Sequence, residues 1–341
     1  MRKCALLVLV LVLGLVAAAC GDDEGETTTT TAATTTAAEE PLTIGLVRQL
    51  GSGDYFEQWQ AGAVAEAERL GVELQIYNAE GDNAKQALDV EQAVNAGVDA
   101  IAIDHGFAET IQPAVQIALE AGIPVVAFDV DAGDERVPQV EQSDHMLAQL
   151  ALDQMVADIG GEGDVIYVYV AGFAPLDRRN EVWEEVKANN PGINEVAMIG
   201  VVNDSIAASV ADQAKAALQA NPDTVAVFAP FDEFAKGAVL AIEELGLQDQ
   251  VKVYGADIST ADIGVMTAAN SPWAATAATD PANVGAVTIR AAYMLAMGDD
   301  VLADIIVPPL LITQEALLAA GVTNMEELRA AFPELATPDV P

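Results

Sequence analysis

The chain has two cysteines, Cys4 and Cys20, and two histidines, His105 and His145, in 341 residues. So few thiols and imidazoles exclude a disulfide framework and give no basis for a metal site, which needs several ligands at compatible spacing. Basic residues are also scarce. Fourteen Lys and Arg face 53 Asp and Glu, a formal charge of −39. That field repels phosphate backbones and excludes nucleic acid as a partner. The apolar run from Ala5 to Val16 is too short to span a bilayer. What is plentiful is hydrophobic residues, 52% of the chain, enough to bury substantial cores over a length that suits two domains.

Arg2 and Lys3 precede the apolar run and Ala17-Ala18-Ala19 follow it, the layout of an export signal. Small residues directly before Cys20, then Gly21 and a polar tail, resemble the bacterial lipobox, with Ala17 where Leu is commoner. The resemblance implies a signal peptide over residues 1–19 and a diacylated Cys20 as the first mature residue, tethered outside the cytoplasmic membrane. The alternative is an ordinary secretory signal cleaved near Ala19. Loss of Arg2 and Lys3 takes the charge to −41, with 12 basic residues left against 53 acidic ones. Most of those carboxylates, Glu66, Glu68, Glu184 and Glu185 among them, fall on helical faces and read as solvated. Asp22 to Glu26 and the Thr/Ala tract from Thr27 to Ala38 show no apolar periodicity, so residues 20–40 read as a disordered linker.

From Pro41 strand and helix patterns alternate. Leu42–Val47, Val72–Tyr77, Asp99–Ile103 and Ile123–Phe128 read as strands, with helices over Tyr55–Leu70, Asn83–Ala96 and Glu109–Ala121. After the extended piece Val137–Gln142 the alternation resumes from His145 and runs to Gly255. A strand at Trp273–Ala278, a helix at Pro281–Met297, a strand at Asp304–Ile312 and a helix near Glu315–Ala331 close the chain. Such alternation with short turns predicts an α/β fold: two similar doubly wound parallel-sheet lobes with right-handed crossovers. Four apolar strands lead into a carboxylate: Asp104, Asp129, Asp232 and Asp257. Ligands of open parallel sheets sit outside the carboxyl ends of the strands, so these four describe a binding cleft.

Several segments in order resemble the type I periplasmic solute-binding proteins of ABC importers, particularly the ribose- and galactose-binding group: Asp54-Tyr-Phe56, Gly97-Val-Asp-Ala-Ile-Ala-Ile-Asp104, Ala121-Gly-Ile-Pro-Val-Val-Ala-Phe-Asp129, Asp177-Arg-Arg-Asn180, Phe231-Asp-Glu233, Tyr254-Gly-Ala-Asp257 and Ala275-Thr-Ala-Ala-Thr279. The resemblance spans roughly residues 42 to 312. It implies two lobes joined by a three-strand hinge crossed near Ser143, Thr279 and Pro308. The N-terminal lobe would be 41–142 plus 280–308, the C-terminal lobe 143–279 plus 309–313, and 314–341 a C-terminal helix and tail. It also implies solute capture by hinge closure and delivery to permease subunits, by a monomer needing no cofactor.

Residue by residue, the resemblance gives Tyr55 and Phe56 the place of the paired aromatics that line a sugar ring. Asp104 stands where relatives often have Asn, and Asp129 matches a strand-end Asp that contacts hydroxyls; either could instead cap the following helix. Val130 follows Asp129 where ribose binders carry Arg. Arg179 matches the second-lobe Arg that donates to ligand, with Arg178 beside it. Phe231 falls where many relatives have Asn, Asp232 is its neighbour in the site or a helix cap, and Asp257 matches another strand-end Asp. Thr279 or Asp280 faces ligand at the hinge. The resemblance implies a simple sugar or similar polyol as solute, with a nucleoside, cyclitol, furanose signal or cationic solute as the alternatives; the cleft chemistry agrees, since ionised carboxylates accept from sugar hydroxyls and a guanidinium donates to them. A sensory role feeding a receptor kinase has the same signature.

An enzyme is the rival class. Asp104-His105 suggests an acid–base or metal pair, but nothing supplies further ligands or a nucleophile with its base, and His105 reads as a loop residue on the cleft rim. Gly51-Ser-Gly53 lacks the third glycine of a dinucleotide loop. The expected protein is a non-catalytic binding protein with no metal.

Overall fold

The computed structural model describes residues 41–335. The leader, Cys20, the linker to residue 40 and the last six residues lie outside the described residues.

The first sheet is built from β1 (Thr43–Arg48), β2 (Glu73–Asn78), β3 (Ala100–Asp104), β4 (Val125–Phe128) and β5 (Gln139–Glu141), alternating with α1 (Asp54–Leu70), α2 (Asn83–Ala96) and α3 (Ala108–Glu120). The second holds β6 (Glu162–Val168), β7 (Gly192–Ile199), β8 (Thr224–Ala229), β9 (Lys252–Ala256) and β10 (Trp273–Ala278). Its helices are α4 (Asp144–Ile159), α5 (Ala174–Asn189), α6 (Ile206–Ala220), α7 (Asp232–Leu245) and the short α8 (Thr260–Met266). The chain then returns through α9 (Pro281–Met297) and β11 (Asp304–Ile306) to the first lobe. It ends on the second with β12 (Leu310–Thr313), α10 (Gln314–Ala320) and α11 (Met325–Ala331). The strand orders are β11-β5-β4-β3-β1-β2 and β12-β10-β9-β8-β6-β7. Every recorded pairing is parallel except β10 with β12.

The central strands are apolar because both faces are covered by helices. β3 and β4 are buried along their whole length, and β8 at all but Val225. Helix α1 crosses α9 so closely that a Cβ at Gly62 would overlap the Ala282 carbonyl, and one at Gly285 the Trp59 carbonyl.

The run expected as one strand over Asp304–Ile312 is two strands in different sheets. Pro308 and Pro309 intervene; proline lacks the N–H a ladder needs, and the chain changes lobes there. The expected C-terminal helix is likewise two, broken where Gly321 takes a left-handed conformation and Asn324 caps α11. No described helix is long and apolar enough to cross a membrane.

Candidate functional site

The carboxyl ends of the two sheets face each other across a cavity lined from both lobes. Four non-glycine residues around it adopt positive φ: His105 (56°), Asp129 (51°), Ser143 (55°) and Asp257 (73°). Conformations of this kind persist only where the surroundings over-determine them, and they gather at binding sites.

One part of the cavity is polar. Arg179, on α5 and almost fully buried, donates to the Pro230 carbonyl at 2.7 Å and to Asp257 at 3.1 and 3.4 Å. Gln142, at the crossing from β5 to α4, donates to Asp257 at 3.4 Å and accepts from Thr279 Oγ1 at 2.6 Å. Tyr55 reaches the same space from the first turn of α1, and its hydroxyl is buried without any partner. Burial pushes that phenol well above its ordinary range, and Asp257, Asp129 and Asp104 push it further, so the group is a neutral donor at any ordinary pH. The Asp257 carboxyl is raised by burial, against the pull of Arg179.

The other part is apolar. Leu50, Phe173 and Val202 form the wall shared with a neighbouring outer cavity, and Pro175 and Leu176 continue it. Phe56 and Phe231 meet across the cleft from opposite lobes, ring centres 6.3 Å apart, and both line the cavity.

Of the residues expected from sequence, Tyr55, Phe56, Arg179, Phe231 and Asp257 line this cavity. Asp104, Asp129 and Thr279 stand behind it. Asp104 accepts from Arg48 Nε at 2.9 Å and pairs with His105 Nδ1 at 2.6 Å. Those partners outweigh burial and hold its carboxyl below the usual range. Asp129 accepts from Arg178 at 2.8 Å. Burial and the nearby Asp144 nevertheless push its carboxyl up to about 8. Thr279 aims Gln142. Asp232 lies away from the cavity, beside Lys236 and Asp262, and Asp280 caps α9 and pairs with Arg329.

Four residues were missed or given lesser roles. Arg48 is wholly buried; it donates to the Phe56 carbonyl and to Gln60, and its guanidinium lies over the Trp59 ring at 5.6 Å. A lone cation ending a buried strand was the available signal. His105 is buried and lines the cavity, its ring edge-on to Phe56 at 5.2 Å. Arg178 bridges Asp129 and Asp144. Gln142 had no sequence signal beyond its place before Ser143. Arg48, Arg178 and Arg179 are thus set among Asp104, Asp129, Asp144 and Asp257, and Asp104 and Asp129 favour protonation of His105 against the cost of burial. Among the described residues no group of His, Cys, Asp or Glu is arranged to hold a metal.

Residues 44–300 match the family model described as periplasmic binding protein domain. The chain is 30% identical over 261 residues to the ribose import binding protein RbsB of Escherichia coli K12, covering 76% of this chain and 86% of that one. Among solved structures it resembles the 5-methylthioribose transporter solute binding protein of Thermotoga lettingae in complex with 5-methylthioribose. That likeness has a TM-score of 0.86 at 44% identity, over 88% of this chain and 95% of the other. A sugar ABC transporter structure from Yersinia enterocolitica matches with a TM-score of 0.84 at 29% identity, over 88% of this chain and 91% of that one.

Proposed function

The chain belongs to the periplasmic binding protein family, and we propose that it captures a pentose-sized sugar carrying a short apolar substituent between its lobes. Members of this family are extracytoplasmic, non-enzymatic solute-binding components of sugar ABC importers, and this chain is one of them. The observation that carries the finer reading is the divided cavity. Arg179, Asp257, Gln142 and the unpartnered Tyr55 hydroxyl offer donors and acceptors to ring hydroxyls. Leu50, Phe173, Pro175, Leu176 and Val202 offer a hydroxyl nothing to bond. A free sugar would strand a hydroxyl against that wall, which costs more than a thioether or alkyl group placed there. The Thermotoga relative's ligand, 5-methylthioribose, is a sugar of this description. A cationic solute is disfavoured because Arg48, Arg178 and Arg179 already pair with the cleft carboxylates.

In this reading Tyr55, Phe56, Arg179, Phe231 and Asp257 touch the sugar, while Asp104, Asp129 and Thr279 position those that do. Lobe boundaries follow the crossings: 41–142 with 280–308, and 143–279 with 309–313. Cys20 carries the lipid anchor, and the protein acts as a monomer that presents its closed form to the permease. A thermal-shift panel on residues 41–341 tests the solute. Ligands that bind only the native state raise the melting temperature, so 5-methylthioribose should raise it most, above ribose, xylose, myo-inositol and adenosine. A larger shift with ribose would remove the apolar substituent from the reading, and a shift with adenosine alone would move the ligand class to nucleosides.

A further inference from the structure

A cluster of buried carboxylates that solute binding leaves unexplained lies beside the cleft, where α7 and α8 of one lobe meet the start of α1 of the other. Asp232 and Asp262 are both wholly buried. Oδ2 of Asp232 and both carboxylate oxygens of Asp262 accept no hydrogen bond. A buried ionised carboxylate without partners is too costly to stand, and such a group keeps its proton instead. Among the described residues the only ammonium that pairs with them is Lys236 Nζ, 3.6 Å from Asp232 and 3.4 Å from Asp262. It also contacts Glu233 at 2.6 Å and, from the other lobe, Asp54 at 2.7 Å. One cation therefore faces four carboxylates, three from its own lobe and one across the cleft.

We propose that Asp232, Asp262 and Lys236 of one lobe and Asp54 of the other form a proton-linked latch, which draws the lobes together more firmly as the pH falls. The inference rests on the reading above that the lobes open and close around a solute. Closure brings the Asp54 charge to a cluster already over-supplied with carboxylates, so Asp232 and Asp262 hold their shared proton more tightly closed than open. Opening removes Asp54 and admits water, and the proton is released. By linkage, a state that binds more protons is favoured at lower pH.

The groups facing the pair set the direction. From α7 come Glu233 and Lys236, from α1 Asp54, and from the end of β9 Asp257. For both carboxyls burial is the largest raising influence and Lys236 the largest lowering one. The Asp232–Asp262 repulsion adds to the rise at Asp232, and Asp54 adds to the rise at Asp262, which stands at about 6. Sugar binding should accordingly be accompanied by proton uptake and tighten on acidification.

The test compares the wild type with Asp54→Asn and Asp262→Asn at constant ionic strength. Asp54 is part-exposed at a helix start, so that variant folds even if the buried Asp262 change does not. Solution scattering should show the ligand-free wild type becoming more compact between about pH 8 and about pH 5.5, with the response reduced in both variants. The dissociation constant for 5-methylthioribose should fall over the same range, by at most tenfold per pH unit for one proton, and fall less in Asp54→Asn. Asp129 and Asp257 also titrate with closure but are intact in every chain, so the difference from wild type isolates the latch. Variants that track the wild type at every pH, or a wild type whose dimensions ignore pH, would overturn the latch. Compaction without binding of 5-methylthioribose would keep the latch and sink the solute assignment instead.

Discussion

Tyr55 presents a buried hydroxyl to the cavity with nothing to bond. A neutral donor held in that state is accounted for by a ligand oxygen that completes it. Tyr55→Phe should leave the melting temperature of the ligand-free chain unchanged or higher, because no internal hydrogen bond is lost. It should weaken sugar binding by about 1 kcal/mol, read by calorimetry; unaltered affinity would take the hydroxyl out of the site. Arg179→Ala is expected to weaken binding by about 1–3 kcal/mol or more and also to lower stability, since Asp144 and Asp257 lose a buried partner. At this scale the sequence was informative about position and less so about direction. A carboxylate after an apolar strand can be read at Asp104, Asp129 and Asp257. Which of them faces the cavity depends on where Arg48 and Arg178 come to rest, and those contacts join residues 56 and 49 positions apart. Gln142 was invisible because a three-residue strand carries too little pattern to distinguish its ends.

Helix α1 is the element on which the first lobe depends. Its Gly62 and the Gly285 of α9 allow the two backbones to touch, and Glu66 binds Arg69 on its own helix and Arg290 across the same seam. Gly285→Ala forces overlap with backbone that cannot turn aside, and should destabilise the lobe by about 1–3 kcal/mol or more in denaturant titration. The hydrogen bond from Arg69, with help from Arg290, overcomes partial burial and lowers the Glu66 carboxyl to about 2. A carboxyl depressed by folding stabilises above its unfolded value and loses that contribution as the pH falls toward the folded one. Glu66→Gln should therefore unfold more easily at neutral pH and match the wild type near pH 2; equal stability at pH 7 would contradict the pairing. The α1 and α9 helices were legible from periodicity. Their contact was not, because two isolated glycines state no partner. The family resemblance put a lobe crossing near Pro308, but the apolar residues on either side of the proline pair still read as one strand.

For the whole molecule, the scarcity of cations governs the arrangement. Of the 12 basic residues after Lys3, Arg48, Arg178 and Arg179 lie at the cleft, and Arg178 and Lys236 join one lobe to the other. Two acidic lobes would otherwise repel, so these contacts and the bound solute together favour the closed form. The two-lobed architecture was legible because alternating strands and helices leave few topologies open. The sugar class was legible through the family resemblance; the apolar substituent was not, since the apolar wall draws Leu50, Phe173 and Val202 from three separate loops. The most direct measurement is calorimetric titration of residues 41–341 with 5-methylthioribose and, separately, with D-ribose. The account predicts at least about tenfold tighter binding of the thioether sugar, roughly 1.4 kcal/mol. Equal affinities, or tighter binding of ribose, would contradict it.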